Sequence, residues 1–436
     1  MSAVPSTRWL ILGVPAALYF VSYFHRVAPA VVATDLMRAF SIPATTLGHL
    51  ATVYPYVFAA MALVAGSLAD TLGPRRTLAL GGTAMGAGAI LFGMAPVFGI
   101  AFAGRLLVGL GASVILIAWL SLAAEWTRAE EFATLSGLTQ SVGTAGALVA
   151  ASPLAVLVAH AGWRQTFVMI GIATVALALV ALLLVRDTPA ALGLPSVSGR
   201  APRAATSLRD VARAIPAVVG NRRTWPPILA ATGIYAGLLS LLGLWGMPYL
   251  TQVHGLDRVA AANLMALLAI GMGLGSPLVG WVSDRWLGRR RVPMAIFTGA
   301  YTLCWLPLVV LPAELSPALL GMLFVAMGLT SSGLTLVWSC VREVNDPTRV
   351  GIAIGFCNMP IFFGFAVLQW LTGVILDSRW TGTQDAGVRV YSAAAYEAAF
   401  SVCLITSIGA LVMACLVTET RCRNVWRAGM GPVSQA

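Results

Sequence analysis

Three ionisable side chains lie deep inside apolar stretches of this sequence: His25, Arg26 and Arg105. An ionised group is costly in apolar surroundings unless something binds it, so chemistry is expected there first. Tyr19, Ser22, Tyr23 and Arg26 follow i, i+3, i+4, i+7 and share one helical face. A guanidinium is a planar fork suited to carboxylate, sulfonate or phosphate. No acidic residue is near Arg26 in sequence, so a bound anion could be its counter-ion. The competing reading is an arginine snorkelling from the last turns of its helix to the surface. Arg105 is either a cavity residue or a donor to carbonyls of the first helix. His25 is either a carrier of a coupling proton, given an ordinary pKa of about 6.5, or a packed side chain.

The other candidates are neutral: Tyr54 beside Pro55, Gln140 one turn from Thr144, Tyr235, Trp338 and Asn358. Each reads equally well as packing. The sequence offers no nucleophile–base pair, nucleotide-binding loop or Cys/His ligand spacing. The six cysteines fall singly, mostly in apolar segments. No enzyme, cofactor, metal or disulfide is expected.

The elements that hold these residues must sit in lipid. Only 10% of the residues are charged and 59% are hydrophobic, whereas soluble domains carry about 25% charged residues. Apolar stretches long enough to span a bilayer fall at 9–33, 47–69, 77–94, 97–122, 133–158 and 166–185. A second set falls at 225–252, 261–282, 293–311, 317–340, 350–376 and 396–417. The expected fold is all-α: twelve transmembrane helices in two pseudo-symmetric six-helix bundles. The halves are 1–189 and 224–422, joined by a polar linker at 190–223 and followed by a tail at 423–436. Residues 209–219 read as a short surface helix.

Every one of the 27 basic residues is arginine, and the net charge is +11. With the N-terminus inside, 20 arginines fall in cytoplasmic segments, five in outer ones and two within spans. Cytoplasmic loops are the basic ones, so both termini are expected to be cytoplasmic. The charge then records topology, and no nucleic acid is implied.

The halves repeat each other. Gly66-Ser67-Leu68-Ala69-Asp70-Thr71-Leu72-Gly73-Pro74-Arg75-Arg76 is echoed by Gly280-Trp281-Val282-Ser283-Asp284-Arg285-Trp286-Leu287-Gly288-Arg289-Arg290, with one extra residue in the second copy. Glu125, Glu131 and Gly137 align with Glu343, Arg349 and Gly355. Duplicated bundles with charged hairpins between spans are typical of transporters. Asp70, Arg75, Arg76, Asp284, Arg289 and Arg290 are expected to pair at the cytoplasmic helix ends and to gate. No Asp or Glu is expected well inside a span.

These motifs resemble the major facilitator superfamily over essentially the whole chain. The hairpin at 66–76 is similar to its best-known loop motif, Arg105-Leu-Leu-Val-Gly109-Leu-Gly111-Ala112 to its fourth-helix motif, and Gly162-Trp163-Arg164 to the opening of its sixth helix. Arg186-Asp187-Thr188-Pro189 and the late Arg26 resemble the sugar-phosphate and organic anion permease branch. Phosphate-handling relatives carry a second arginine in helix seven, whereas residues 225–252 contain no Arg or Lys. The resemblance implies a cavity lined by helices one, four, seven and ten, and a polar-network or proton role for Arg105. It also implies a monomer in the inner membrane, moving a small-molecule substrate with protons or a counter-anion. Three readings stay open: a secondary transporter of a small organic anion, a multidrug or metabolite exporter, and a non-transporting membrane sensor.

Overall fold

The computed structural model describes residues 7–61, 64–127, 139, 141–194, 208–346, 350–385 and 388–426. These are helical apart from turns, loops and a small hairpin, Gln384–Asp385 against Val388–Arg389, that the sequence did not lead us to expect. One set of helices comprises α1 (Thr7–Val31), α2 (Ala33–Phe40), α3 (Ala44–Met61), α4 (Val64–Leu72), α5 (Pro74–Met94), α6 (Phe98–Trp126) and α7 (Ser152–Leu184). After α8 (Leu208–Gly220), the surface helix expected at 209–219, come α9 (Trp225–Ser240), α10 (Gly246–Gln252) and α11 (Arg258–Trp281). The chain ends with α12 (Arg291–Val310), α13 (Pro317–Ser331), α14 (Leu336–Val344), α15 (Val350–Ser378) and α16 (Ala393–Cys415).

Ten stretches among the described residues are long and apolar enough to cross a membrane, against the twelve spans expected. Two local facts account for the difference. The expected span 47–69 is divided into α3 and α4 because residues 62–63 lie outside the described residues. The expected spans 133–158 and 166–185 run together as Ser141–Leu184, a stretch of 44 residues. At about 1.5 Å per residue a straight helix of that length would reach about 66 Å, twice a hydrocarbon core of about 30 Å. It does not run straight: Gly162 breaks it at φ 76° and ψ 156°, a conformation in which only glycine avoids a steric penalty. Beyond the break, Arg164 Nη1 donates to the Ala95 carbonyl and Arg75 Nε to the Leu182 carbonyl. Residues 164–182 therefore run antiparallel to α5. Gly162 is the residue with non-helical dihedrals within Ser152–Leu184, and it falls between the two expected spans.

The two sets of helices meet along α3 and α15, which lie antiparallel. Phe58 stacks on Phe362 at 4.7 Å, Tyr56 lies 5.9 Å from Phe363, and His49 lies 5.7 Å from Trp370. Further along, the backbones touch: a Cβ on Gly373 would lie 2.8 Å from the Ala44 carbonyl oxygen. There Asp377 of α15 closes the N-terminus of α3. It accepts from the backbone N–H of Ala44 at 3.2 Å and of Thr45 at 2.6 Å, and from the Thr45 hydroxyl. The first N–H groups of a helix have no partner within it and carry the positive end of its dipole, so a carboxylate from the other set is a well-matched cap. The hairpin follows α15 and supports this contact. Tyr391 donates to Asp377 at 2.6 Å and Arg389 at 3.2 Å. Nearby, Arg258 pairs with Asp35 at 2.5 Å, again across the two sets. The molecule is thus fastened at the end opposite the N-terminus.

Asp377→Ala leaves the Thr45 N–H and hydroxyl short of an acceptor, at about 1–3 kcal/mol for each group, while the Ala44 N–H keeps the Tyr391 hydroxyl at 3.0 Å. A Thr34→Cys reporter, in the cleft beside Arg258, is then expected to react about tenfold faster with a membrane-impermeant maleimide. An unchanged rate would mean that aromatic and backbone packing alone holds α3 against α15.

Candidate functional site

Helix α1 presents Arg26 to the seam between the two sets. The residue is only 7% exposed. Its Nη1 donates to the Tyr235 hydroxyl of α9 at 2.9 Å. Four rings surround the guanidinium: Tyr23 at 4.2 Å, Phe58 at 5.1 Å, Phe362 at 5.3 Å and Tyr54 at 5.8 Å. Each ring face attracts a cation, and more strongly when water is excluded. The rings come from α1, α3 and α15, so both sets hold one charge. Arg26 Nε has no hydrogen-bond partner among the described residues. The guanidinium opens on a cleft shared with Tyr23, Thr144, Tyr235 and six apolar side chains. This cleft is narrow, with room for roughly one water.

Of the sequence candidates, Arg26, Tyr23 and Tyr235 line this cleft and Tyr54 flanks it. Tyr19 lies behind, with its ring 5.4 Å from both Tyr23 and Trp119. Trp338 is half-buried and packs against the apolar core instead of lining the cleft. The Asn358 amide bonds the Ile354 carbonyl of its own helix. Gln140 lies outside the described residues. Phe58 and Phe362, which complete the ring cage, carried no sequence signal beyond being aromatic.

Arg105 is explained by a neighbouring proline. Pro29 lies inside α1 and has no N–H, so the His25 carbonyl four residues earlier loses its helical donor. Arg105 Nη1 supplies the missing bond at 3.0 Å. Its guanidinium also lies 5.4 Å from the Tyr54 ring. The geometry matches the carbonyl-donor reading of Arg105. His25 is fully buried, and neither ring nitrogen has a partner among the described residues.

The loop motifs form paired cap sites at the opposite end of the bundle. Asp187 accepts from the Arg75 backbone N–H at 2.6 Å, at the start of α5. Glu419 does the same for Arg290 at 3.0 Å and Arg291 at 3.2 Å, at the start of α12. The extra residue of the second motif is absorbed in a π turn, Val282–Leu287, the form a helix takes when a turn holds one residue too many. Arg290 is turned inward and bonds Ser283, Asp284 and Glu343. Arg76 and Arg289 are exposed. The Asp70 side chain lies outside the described residues. Glu343 stands at the end of its span, the penultimate residue of α14, yet is buried: it is 2% exposed and bonded by Arg290 and the Thr420 hydroxyl. The repeat with Glu125 marked the position, but as a loop. Burial raises the Glu419 carboxyl, but backbone N–H donors from Arg290, Arg421, Arg291 and Thr420 outweigh it, so its pKa sits below the usual range.

Comparison with known proteins places the chain. A family model described as Major Facilitator Superfamily matches residues 16–340 and 246–429. A probable sulfoacetate transporter of Cupriavidus necator is 27% identical over 291 residues, 64% of this chain and 65% of that protein. A membrane sensor protein of Salmonella typhimurium is 24% identical over 383 residues, 84% of each chain. In fold, the chain is similar to a bacterial homologue of the human lysosomal transporter Spinster, solved inward-facing and unoccupied. The TM-score is 0.73 at 17% identity, covering 95% of this chain and 98% of that one.

Two outcomes follow from this geometry. Arg105→Leu is expected to lower stability by about 1.5–3 kcal/mol, the range for a charge-assisted bond. The loss should shrink in a Pro29→Ala background, where Pro29 no longer orphans the His25 carbonyl. Equal losses in both backgrounds, read by thermal melts in detergent, would remove the carbonyl-cap role. Glu419 titrates lower in the folded protein than unfolded, so its contribution is complete above the ordinary carboxylate pKa of about 4.3. It is lost as pH falls through the depressed value. Melting temperature should therefore fall below about pH 4, and less steeply in Glu419→Gln. Parallel pH profiles would contradict the cap.

Proposed function

The chain belongs to the Major Facilitator Superfamily, and from that premise we propose that it is a secondary transporter of a small organic anion, held at Arg26. It is a multi-pass membrane protein, and we assign it to the inner membrane with both termini cytoplasmic. The arginine distribution, 20 on one side against five on the other, supports that orientation. The break at Gly162 and the place of α3 and α4 on one apolar stretch of sequence, 47–69, support twelve crossings. The halves are then 1–189 and 224–422, with 190–223 as linker and 423–436 as tail.

One observation carries the substrate reading. Arg26 is a buried cation with no carboxylate bonded to it among the described residues, fixed by groups from both halves. An anion entering the cleft would supply the missing charge. Rocking of the halves about this seam would expose it to each side in turn. The helix-end networks of Asp377 and of Arg290 with Glu343 lie at opposite ends of the bundle, which suits them to gate alternately. Energy then comes from exchange against another anion or from a proton, for which His25 is the candidate within the spans.

The similarity to a membrane sensor protein over 84% of the chain favours a second reading: binding without appreciable flux. Counterflow in proteoliposomes loaded with organic anions separates the two. The transporter reading expects flux that falls about 10–100-fold in Arg26→Ala, from loss of a charge-assisted bond of about 1.5–3 kcal/mol. Arg26→Lys should recover only part, because an ammonium lacks the fork. Arg26-dependent binding with no flux would establish the sensor reading. Flux indifferent to Arg26→Ala would move the site elsewhere.

A further inference from the structure

The cleft fixes how much negative charge a substrate can carry. Among the described residues that line it, Arg26 alone is charged; the others are the hydroxyl-bearing Tyr23, Thr144 and Tyr235, and apolar side chains. The apolar wall comprises Val27, Ala147, Leu239, Leu242, Ala269 and Met272. Two other arginines, one beside Tyr54 and one beside Ala30, are already engaged. Arg105 donates to the His25 carbonyl, with its guanidinium on the Tyr54 ring. Arg258 lies in a separate cleft beside Ala30 and Met247 and is paired with Asp35.

We propose that this site accepts a monoanion, a single carboxylate or sulfonate on a short uncharged body, and rejects the corresponding dianion. The inference rests on the organic-anion reading above and adds the charge of the substrate. Tyr235 holds one end of the guanidinium at Nη1, and Nε is buried without a partner among the described residues. That edge is where a two-oxygen head group gains most, since an Arg fork binds two oxygens at once. One head group neutralises the site. A second would lie against Leu239, Leu242 and Met272 with nothing to pair it. A stranded charge at that depth is expensive, and the discrimination should be on the order of 100-fold. The apolar wall suits methylene or methyl groups beside the head group.

The test uses purified full-length protein at neutral pH and pairs of probes that differ by one charge on one skeleton. Malonate, succinate and glutarate are compared with their half-amides, and ethane-1,2-disulfonate with ethanesulfonate. Binding is read by thermal stabilisation and by tryptophan fluorescence titration, for the wild type and Arg26→Ala. The expected result is that the monoanion of at least one pair binds about 30–100-fold tighter than its dianion, and that Arg26→Ala removes the binding. The pair that responds identifies carboxylate or sulfonate as the head group. Dianions binding as well or better, with loss in Arg26→Ala, would overturn the monoanion inference and leave the organic-anion reading standing. Binding that survives Arg26→Ala, or no binding in any pair, would overturn both.

Discussion

A buried guanidinium with no carboxylate bonded to it among the described residues is the constraint around which this bundle is arranged. Arg26 is 7% exposed, and water cannot solvate it as it would at a surface. The chain compensates with weaker partners: a tyrosine hydroxyl and four ring faces. Each attraction is individually small, about 0.5–2 kcal/mol for a cation on a ring, and none transfers a full negative charge to the site. The guanidinium is stabilised well enough to fold and left short of neutrality. That shortfall can be converted into affinity for an anion.

The same group unites the halves. Tyr235 and Phe362 come from the second half, Tyr23 and Phe58 from the first. Any rocking that separates α3 from α15 must loosen the ring cage as well as the Asp377 cap. Site and closure are therefore mechanically linked through two helices whose contacts run from Phe58–Phe362 to Thr45–Asp377. The acids with structural work to do lie at the two ends of the bundle: Asp35 and Asp377 at one, Asp187, Glu343 and Glu419 at the other. The cations in the middle, Arg26 and Arg105, have no such partners among the described residues. Acids at the ends fasten helices, and on the proposed reading an arginine in the middle recognises.

Much of this could be read in the sequence because it depends on local chemistry. The tyrosine stripe leading to Arg26 follows helical spacing, and Tyr235 could be ranked through the cavity helices that the family resemblance implies. The Arg105 contact was open in principle, since a proline four residues after His25 orphans a carbonyl; the sequence reading named carbonyl donation without identifying Pro29 as its cause. Phe58 and Phe362 were not legible: aromatic residues are common in apolar helices, and their meeting depends on how two halves pack. Asp377 was not legible either, because an acid at a span end looks like any loop residue until its partner, 332 positions earlier, is brought to it. Glu343 was seen as part of a repeat and placed in a loop. Its burial depends on Arg290 and Thr420 reaching it from separate segments.

The charge arrangement also bears on what drives transport. A carrier whose central cation is neutralised only by its substrate moves two different objects across the seam. Loaded, the site is a neutral ion pair and can be desolvated at modest cost. Unloaded, it is a cation that must be desolvated with only rings and a hydroxyl to replace water. The loaded crossing is the easier one, and that asymmetry favours exchange of one anion for another over uptake followed by return of the bare site. The network at Arg105 is committed to α1. On the proposed reading of Arg26, exchange is therefore the coupling mode that its lone charge favours.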